Sequence, residues 1–489
     1  MSDGRRDARG RERGAARASH QGRRSGQRPA ERARSGDPAR EVAFDVLREV
    51  AAGDAYANLV LPPLLRRRGI RGRDAAFATE LTYGTLRLRG RYDAVLAIAA
   101  DRPVAELDPP LLDVLRLGAH QVLGMRVPAH AAVSETVALA RSRVGAGPAQ
   151  LVNAVLRRVA DTPAEDWWVR LGETGDEVER LAVLHSHPAW VVRGLRQALL
   201  ADSRPAEDLP ALLEADNAAP VVTLVVRPGL ADRDAVLAAL PGAEPGRWAP
   251  TAIRLAGGDP RDAPGMRDGY VAVQDEGSQL VTLALARVPL EGGLGDTEWL
   301  DLCAGPGGKS GLLGALAAQR GATLVANEVQ PHRADLVRAT VRALPNVEVH
   351  VGDGRGLGAA EPGRFARVLV DAPCTGLGAL RRRPESRWRR TPSDLGFLGG
   401  LQRELLASAL DAVAPGGVVG YVTCSPHVAE TRLVVEDVVK RRDDVTLLDA
   451  TEALRAVAGG LDLGPGPHAQ LWPHVHGTDA MHLTLLRRA

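Results

Sequence analysis

Three cysteines, Cys303, Cys374 and Cys424, are the only thiols in 489 residues, and each stands where a short apolar run gives way to small or turn-forming residues. The first run, Trp299-Leu300-Asp301-Leu302-Cys303, leads into Ala304-Gly305-Pro306-Gly307-Gly308-Lys309. Glycines let a backbone approach a ligand closely, and a helix beginning after such a turn offers unpaired N–H donors to a carboxylate or phosphate. The next run ends in Asn327-Glu328, an acid about twenty residues on, where sheets of this kind bind ribose hydroxyls. The third ends in Asp353-Gly354, placed to receive an adenine amino group. Lys309 carries information of its own, because only two of the 62 basic residues are lysines and a compact ammonium stands where composition would have written Arg.

The fourth run closes Val370-Asp371-Ala372-Pro373-Cys374-Thr375-Gly376 and the fifth Tyr421-Val422-Thr423-Cys424-Ser425-Pro426. A thiolate is a strong nucleophile, and an acid beside it can act on a substrate edge. A buried cysteine is ordinarily a small hydrophobe. Here, however, all three fall at strand ends. In a doubly wound sheet the first, fourth and fifth strands are neighbours and the ligand lies outside their carboxyl ends, so the three thiols should converge on one crevice.

The elements that must hold this crevice follow from periodicity. From Glu298 onward, β-rich runs at 298–303, 323–328, 347–353, 367–371, 417–424, 445–449 and 481–487 alternate with helix-length stretches, which predicts a seven-stranded, mostly parallel α/β sheet over residues 291–489. Between 39 and 160 apolar residues recur at helical spacing, as in Val42, Val46, Leu47 and Val50, and turn signals divide the segment into six or seven helices. Residues 161–290 mix helical pieces (Ala189 to Leu200, Asp232 to Leu240) with β-like runs (Val221 to Val226, Gly269 to Val273) and read as a small α+β module.

Composition bounds the rest. An apolar share of 45% with 25% charged residues is globular, and the length calls for two or three domains. No apolar run reaches the roughly 18 residues a membrane span needs, so the cytoplasm is the expected location and no membrane partner is expected. Cysteines odd in number and without a C-x-x-C pair predict reduced thiols, not a disulfide framework or zinc knuckle. Residues 1–38 form a basic, Gly- and Ser-containing tail; over residues 1–40 there are 12 Arg against 5 acids, leaving the body net acidic under an overall charge of +2. Such a tail is expected to be disordered and to attract polyanions.

Taken together, Asp371-Ala-Pro-Cys-Thr-Gly, Thr423-Cys424-Ser425 and the Cys303-Ala-Gly-Pro-Gly-Gly-Lys turn resemble the RNA 5-methylcytosine methyltransferases. Arg381-Arg-Arg-Pro-Glu-Ser-Arg-Trp388 and His185-Ser-His-Pro-Ala-Trp190 are similar to the RsmB (Sun/Fmu) branch, which modifies small-subunit (16S) ribosomal RNA and carries an N-terminal helical domain like the antitermination factor NusB. The resemblance implies a NusB-like RNA-binding domain over 39–160, an RNA-binding role for the module at 161–290, and a Rossmann-like class I methyltransferase domain using S-adenosylmethionine. It implies that Cys424 attacks C6 of cytosine, that Cys374 assists product release and that Asp371 hydrogen-bonds the base edge at N3 or N4. It implies further that Cys303, Ala304, Gly305, Pro306, Gly307, Gly308 and Lys309 surround the methionine part of the cofactor, with Glu328 on the ribose, Asp353 and Gly354 near adenine, and Arg333 and Asp371 alongside. The stretch 381–390, with Arg381, Arg382, Arg383, Arg387 and Trp388, would suit phosphates and a stacked base, against an ordinary solvated basic face. The sequence departs from the family at Thr431, where Asn is common, and at Gln330, where an acid is frequent.

Other readings stand beside this one. Positions 303–310 read C-x-x-x-x-G-K-S, close to a P-loop, with Asp371 as a magnesium ligand; Cys303 where a P-loop wants Gly counts against it. An RNA-binding scaffold with a degenerate catalytic fold would not need both Cys424 and Cys374. DNA 5-methylcytosine enzymes attack with the Pro-Cys cysteine, so the second cysteine favours RNA. His468, His474, His476 and His482 show no completed metal-ligand spacing, so no metal is expected.

Overall fold

The computed structural model describes residues 36–53, 55–173 and 175–489. The tail expected over residues 1–38 lies, as far as Ser35, outside the described residues.

Seven α-helices, from Pro38–Ala52 to Ala146–Asp161, build the N-terminal part. Asp37 opens the first by accepting from the Ala39 and Arg40 amides, with Pro38 supplying the preset φ of a first helical turn. Val42, Val46, Leu47 and Val50 all point into one core that also takes Leu115, Leu117, Val152 and Leu156. The helical period read from the sequence therefore has one cause, a shared apolar interior.

The segment 161–290 does not fold as the single module expected. Trp167 and Leu171 complete the core of the seven helices. Helices Ala189–Ala201 and Leu209–Ala215 pack instead with Leu377, Leu380 and Trp472 of the C-terminal part. Helix Glu276–Arg287 buries Leu280 to Ala286 against the large sheet. Short amphipathic helices cannot bury an apolar face alone, so each joins the nearest larger core. Only the four-stranded sheet between them, β1 (Thr223–Val226), β2 (Glu244–Pro245), β3 (Ala252–Arg254) and β4 (Val271–Val273), keeps a small core of its own, around Leu224, Val226, Ile253 and Val271.

The C-terminal sheet contains β5 (Glu298–Asp301), β6 (Thr323–Glu328), β7 (Val347–Val351), β8 (Phe365–Asp371), β9 (Val413–Thr423), β10 (Val445–Leu448), β11 (Ala469–Gln470) and β12 (His482–Arg488). Its order is β10-β12-β9-β8-β5-β6-β7, with β12 antiparallel and β11 paired to it. All seven runs read from the sequence are present, but the sheet has eight strands. The added one, two residues long, is too short to show an alternating pattern. Neighbouring residues go to opposite faces: Trp299, Leu369 and Val422 meet one layer of helices, whereas Leu300, Val370 and Tyr421 meet Leu405, Leu406 and Ala409 of helix Pro392–Ala412 on the other. β5, β8 and β9 are adjacent and parallel, so the loops that follow them open side by side. No helix among the described residues is long and apolar enough to cross a membrane.

Candidate active site

The glycine-rich turn after β5 is held from behind. Gly305 N donates to Glu328 Oε2 at 3.1 Å, Gln330 N donates to Glu328 Oε1 at 2.9 Å, and Arg333 Nη2 donates to the Gly305 carbonyl at 2.6 Å. Gly307 enters helix Gly308–Ala318 at φ 102°, where a Cβ would also stand 2.9 Å from Thr340 Cβ; glycine is required on both counts. Ser310 Oγ donates to Asp301 Oδ2 at 2.6 Å, and burial lifts the Asp301 carboxyl to about 7. Burial also pushes the Cys303 thiol well up, in the same direction as the carboxylates of Asp301, Asp371 and Glu328. The crevice is thus acid-lined below a helix N-terminus. Asp353 and Gly354 stand differently from the other expected contacts. Arg355 occupies both Asp353 oxygens, at 3.0 Å from Nε and 2.6 Å from Nη2, and Gly354 is packed against Leu302 and Leu405.

Lys309 reaches across from this turn to β8. Its ammonium lies 2.7 Å from Asp371 Oδ2; burial opposes the charge, but Asp371 outweighs burial and holds the Lys309 pKa above its ordinary value. Beside this pair, Cys374 Sγ and Cys424 Sγ are 3.4 Å apart, both half-buried and both free thiols. The two are unequal. The hydrogen bond from Cys374 lowers the Cys424 thiol, and Lys309 pulls the same way against burial and Asp371. Cys374 is raised well above its ordinary value by the same bond, then by burial. Charge is thus favoured on the Cys424 sulfur and opposed on that of Cys374.

Sequence reading missed what holds the two cysteine loops. Glu430 is buried, and its Oε1 accepts from Thr375 N at 2.7 Å and from Gln402 Nε2 at 3.3 Å. Gln402 also donates to the Pro373 carbonyl at 2.8 Å, and Tyr421 Oη to the Glu430 carbonyl at 2.7 Å. Gly378 N donates to the Cys424 carbonyl at 2.8 Å, an approach a Cβ would obstruct. A lone acid seven residues from a strand end carries no signal in sequence; only the fold puts it beside Thr375.

The arginine-rich stretch is corrected by its burial. Arg381, 6% exposed, donates to Asp479 Oδ1 at 3.2 Å, and Arg382 engages Asp479 and Asp275. Arg387 is 0% exposed and donates to the Ser186 carbonyl at 3.0 Å and Asn217 Oδ1 at 2.8 Å. Trp388 is half-buried against Gly90, with Arg89 over its ring. Arg381, Arg382 and Arg387 brace the C-terminal part against residues 186–275 and 479, and Trp388 packs on the N-terminal helices, so their polar groups are taken up inside the fold. Arg383 alone of the five is exposed, lying over the Tyr56 ring 4.9 Å from its centroid. The cause is composition: in a chain of sixty arginines the interior ion pairs must also be made by Arg. Three of the four C-terminal histidines are likewise bonded inside the fold, His468 and His482 both to Thr484 Oγ1 and His476 Nδ1 accepting from Trp472 N, while His474 Nε2 lies 3.6 Å from Asp208 Oδ2.

Burial pushes the Asp216 carboxyl from 3.8 to about 7, against the pull of Arg387. The folded protein therefore holds a proton that the unfolded chain releases between those values, and the contribution of Asp216 to stability falls as pH rises through that window. Without Arg387 the window extends upward. Arg387→Met is expected to destabilise by about 3 kcal/mol, more at pH 8 than at pH 5, in thermal unfolding. An unchanged melting temperature with weakened RNA binding would restore the phosphate-contact reading.

The 16S rRNA methyltransferase RsmB/F family model matches residues 290–487, and the NusB family model matches residues 37–161. A protein of Mycobacterium tuberculosis (strain H37Rv), named no more finely than as a methyltransferase, is 52% identical over 94% of this chain and 98% of its own. Ribosomal RNA small subunit methyltransferase B of Pseudomonas putida (strain KT2440) is 33% identical over 85% of this chain and 92% of its own. The crystal structure of PH0851 covers 92% of this chain and 99% of its own at TM-score 0.76 and 21% identity, which shows the shared fold.

Proposed function

The chain belongs to the 16S rRNA methyltransferase RsmB/F family, and from that premise we propose that it methylates C5 of a cytosine in small-subunit ribosomal RNA, with S-adenosylmethionine as donor and Cys424 as nucleophile. The observation that carries the reading is the pair of cysteines, 3.4 Å apart, beside the Lys309–Asp371 ion pair.

The crevice suits the donor on the chemistry of its residues: the carboxylates of Asp371 and Glu328 complement a sulfonium charge, and the start of helix Gly308–Ala318 offers amides to a carboxylate. The turn Cys303 to Lys309 would hold the methionine part, Glu328 and Arg333 keeping the turn in shape, with Glu328 also toward ribose and Asp353 and Gly354 toward adenine. When bound, the donor supplies an electrophilic methyl group. The chain's own residues do the rest. Cytosine C5 is a poor nucleophile until a thiolate adds at C6, so Cys424 forms that bond and makes C5 electron-rich. Asp371, held by Lys309, would hydrogen-bond the base edge at N3 or N4 and orient C6 toward the sulfur, the electron flow being favoured where a proton is held toward N3. Once C5 has been methylated and has lost its hydrogen as a proton, the sulfur–C6 bond breaks and Cys424 returns as thiolate, with the Cys374 thiol beside it to assist release. The P-loop alternative has little support, since Lys309 and Ser310, which it would turn toward phosphate and magnesium, are bonded to Asp371 and Asp301.

Incubating the protein with unmodified small-subunit RNA and methyl-labelled S-adenosylmethionine, followed by nucleoside analysis, is expected to give labelled 5-methylcytidine. Label confined to transfer RNA would keep the chemistry and remove the ribosomal assignment; label in another nucleoside, or in none, would overturn the reading.

A further inference from the structure

Glu430 lies at 0% exposure between the two cysteine loops without touching either sulfur in any bond found. A buried carboxylate is tolerated only where hydrogen bonds satisfy it. Here it accepts from the amide and from the hydroxyl of Thr375, the residue after Cys374. Because a carboxylate only accepts, the Thr375 hydroxyl must spend its hydrogen on Glu430. At 3.2 Å from Ser425 Oγ it can then only accept, so Ser425, the residue after Cys424, donates. The order Ser425 to Thr375 to Glu430 is therefore set by the acid, and it couples the two loops at the positions adjoining the two thiols.

We propose that Glu430 is a positioning residue of the methylation reaction, which clamps the Cys374 and Cys424 loops through Thr375 and Ser425 and so holds the two sulfurs in their 3.4 Å approach. The charges facing the pair agree. Glu430 lies toward Cys374 and disfavours its thiolate, whereas Lys309 and Arg383 favour that of Cys424 against the opposing Asp371. Lose the acid, and the loops lose their common anchor and one of the charges that separates the two thiols. The inference rests on the two-cysteine reading of the function.

The test uses the full-length protein and two readouts. Wild type and Glu430→Gln are alkylated with iodoacetamide between about pH 6 and pH 10, a range that brackets cysteine ionisation, and each modified cysteine is quantified by peptide mass spectrometry. Wild type is expected to react first at Cys424. Glu430→Gln, nearly the same shape but uncharged, is expected to lose about tenfold of the preference for Cys424 over Cys374 and to lower kcat about 10–100-fold with KM for the methyl donor unchanged. Glu430→Asp, which keeps the charge, should recover part of the preference. Folded Glu430→Gln with the wild-type preference and kcat overturns the proposal. Should Glu430→Gln fail to fold, Thr375→Val, which removes the bridging hydroxyl alone, decides: a wild-type preference there overturns the clamp, and a reduced one upholds it. Alkylation needs neither RNA nor donor, so a wild-type protein that makes no 5-methylcytidine counts against the proposed function and leaves the clamp standing.

Discussion

Cys424→Ala is expected to lower methylation by about 10⁴-fold or more, the scale on which removal of a covalent nucleophile acts. The reason lies in the substrate as much as in the protein: without addition at C6, C5 of cytosine has almost no tendency to take a methyl group, and neither Asp371 nor the bound donor can replace that step. Cys424 is half-buried at the end of β9, so alanine should leave the fold intact, and melting temperature and donor binding serve as controls. Retention of more than about a tenth of the wild-type rate would remove Cys424 as nucleophile, since no nucleophile loss of the expected scale is compatible with it.

The second large effect is one of accumulation. Under the proposed mechanism, Cys374→Ala leaves the Cys424 sulfur able to attack but removes the thiol 3.4 Å away to which assistance in release is assigned. The variant should transfer about one methyl group per enzyme and then stall with the RNA attached, while steady-state turnover falls about 10²-fold. The adduct is read as a denaturant-stable band of protein and labelled RNA, and it should vanish in the Cys374→Ala, Cys424→Ala double variant. An adduct formed by Cys424→Ala and absent from Cys374→Ala would exchange the two roles.

These expectations draw on residues that were legible to different degrees. The strand ends carrying Cys303, Cys374 and Cys424 could be placed on adjacent strands because doubly wound sheets allow few strand orders, and β5, β8 and β9 lie side by side as that rule requires. Lys309 was conspicuous as one of two lysines, but the sequence pointed to the cofactor turn, and its pairing with Asp371 across 62 positions appears only in three dimensions. Glu430 and Gln402 were silent, being common polar residues whose importance is their burial between two loops. Arg381, Arg382 and Arg387 were misread, because a run of like charges looks the same in sequence whether it faces water or is paired with Asp275 and Asp479 and bonded to Asn217 from distant segments.

What this chain's sequence determines by itself is local in origin: the period of its helices and strands, the glycines at its turn, and the residue types that can attack, donate or accept. These follow from backbone geometry and side-chain chemistry, which need no knowledge of distant neighbours. How the two cysteines come to lie 3.4 Å apart, whether an arginine is a ligand or a brace, and where the middle segment's helices find their cores were decided only by tertiary structure. Each of those depends on burial and on charges brought from far along the chain, and desolvation and Coulomb forces act through space, not along sequence.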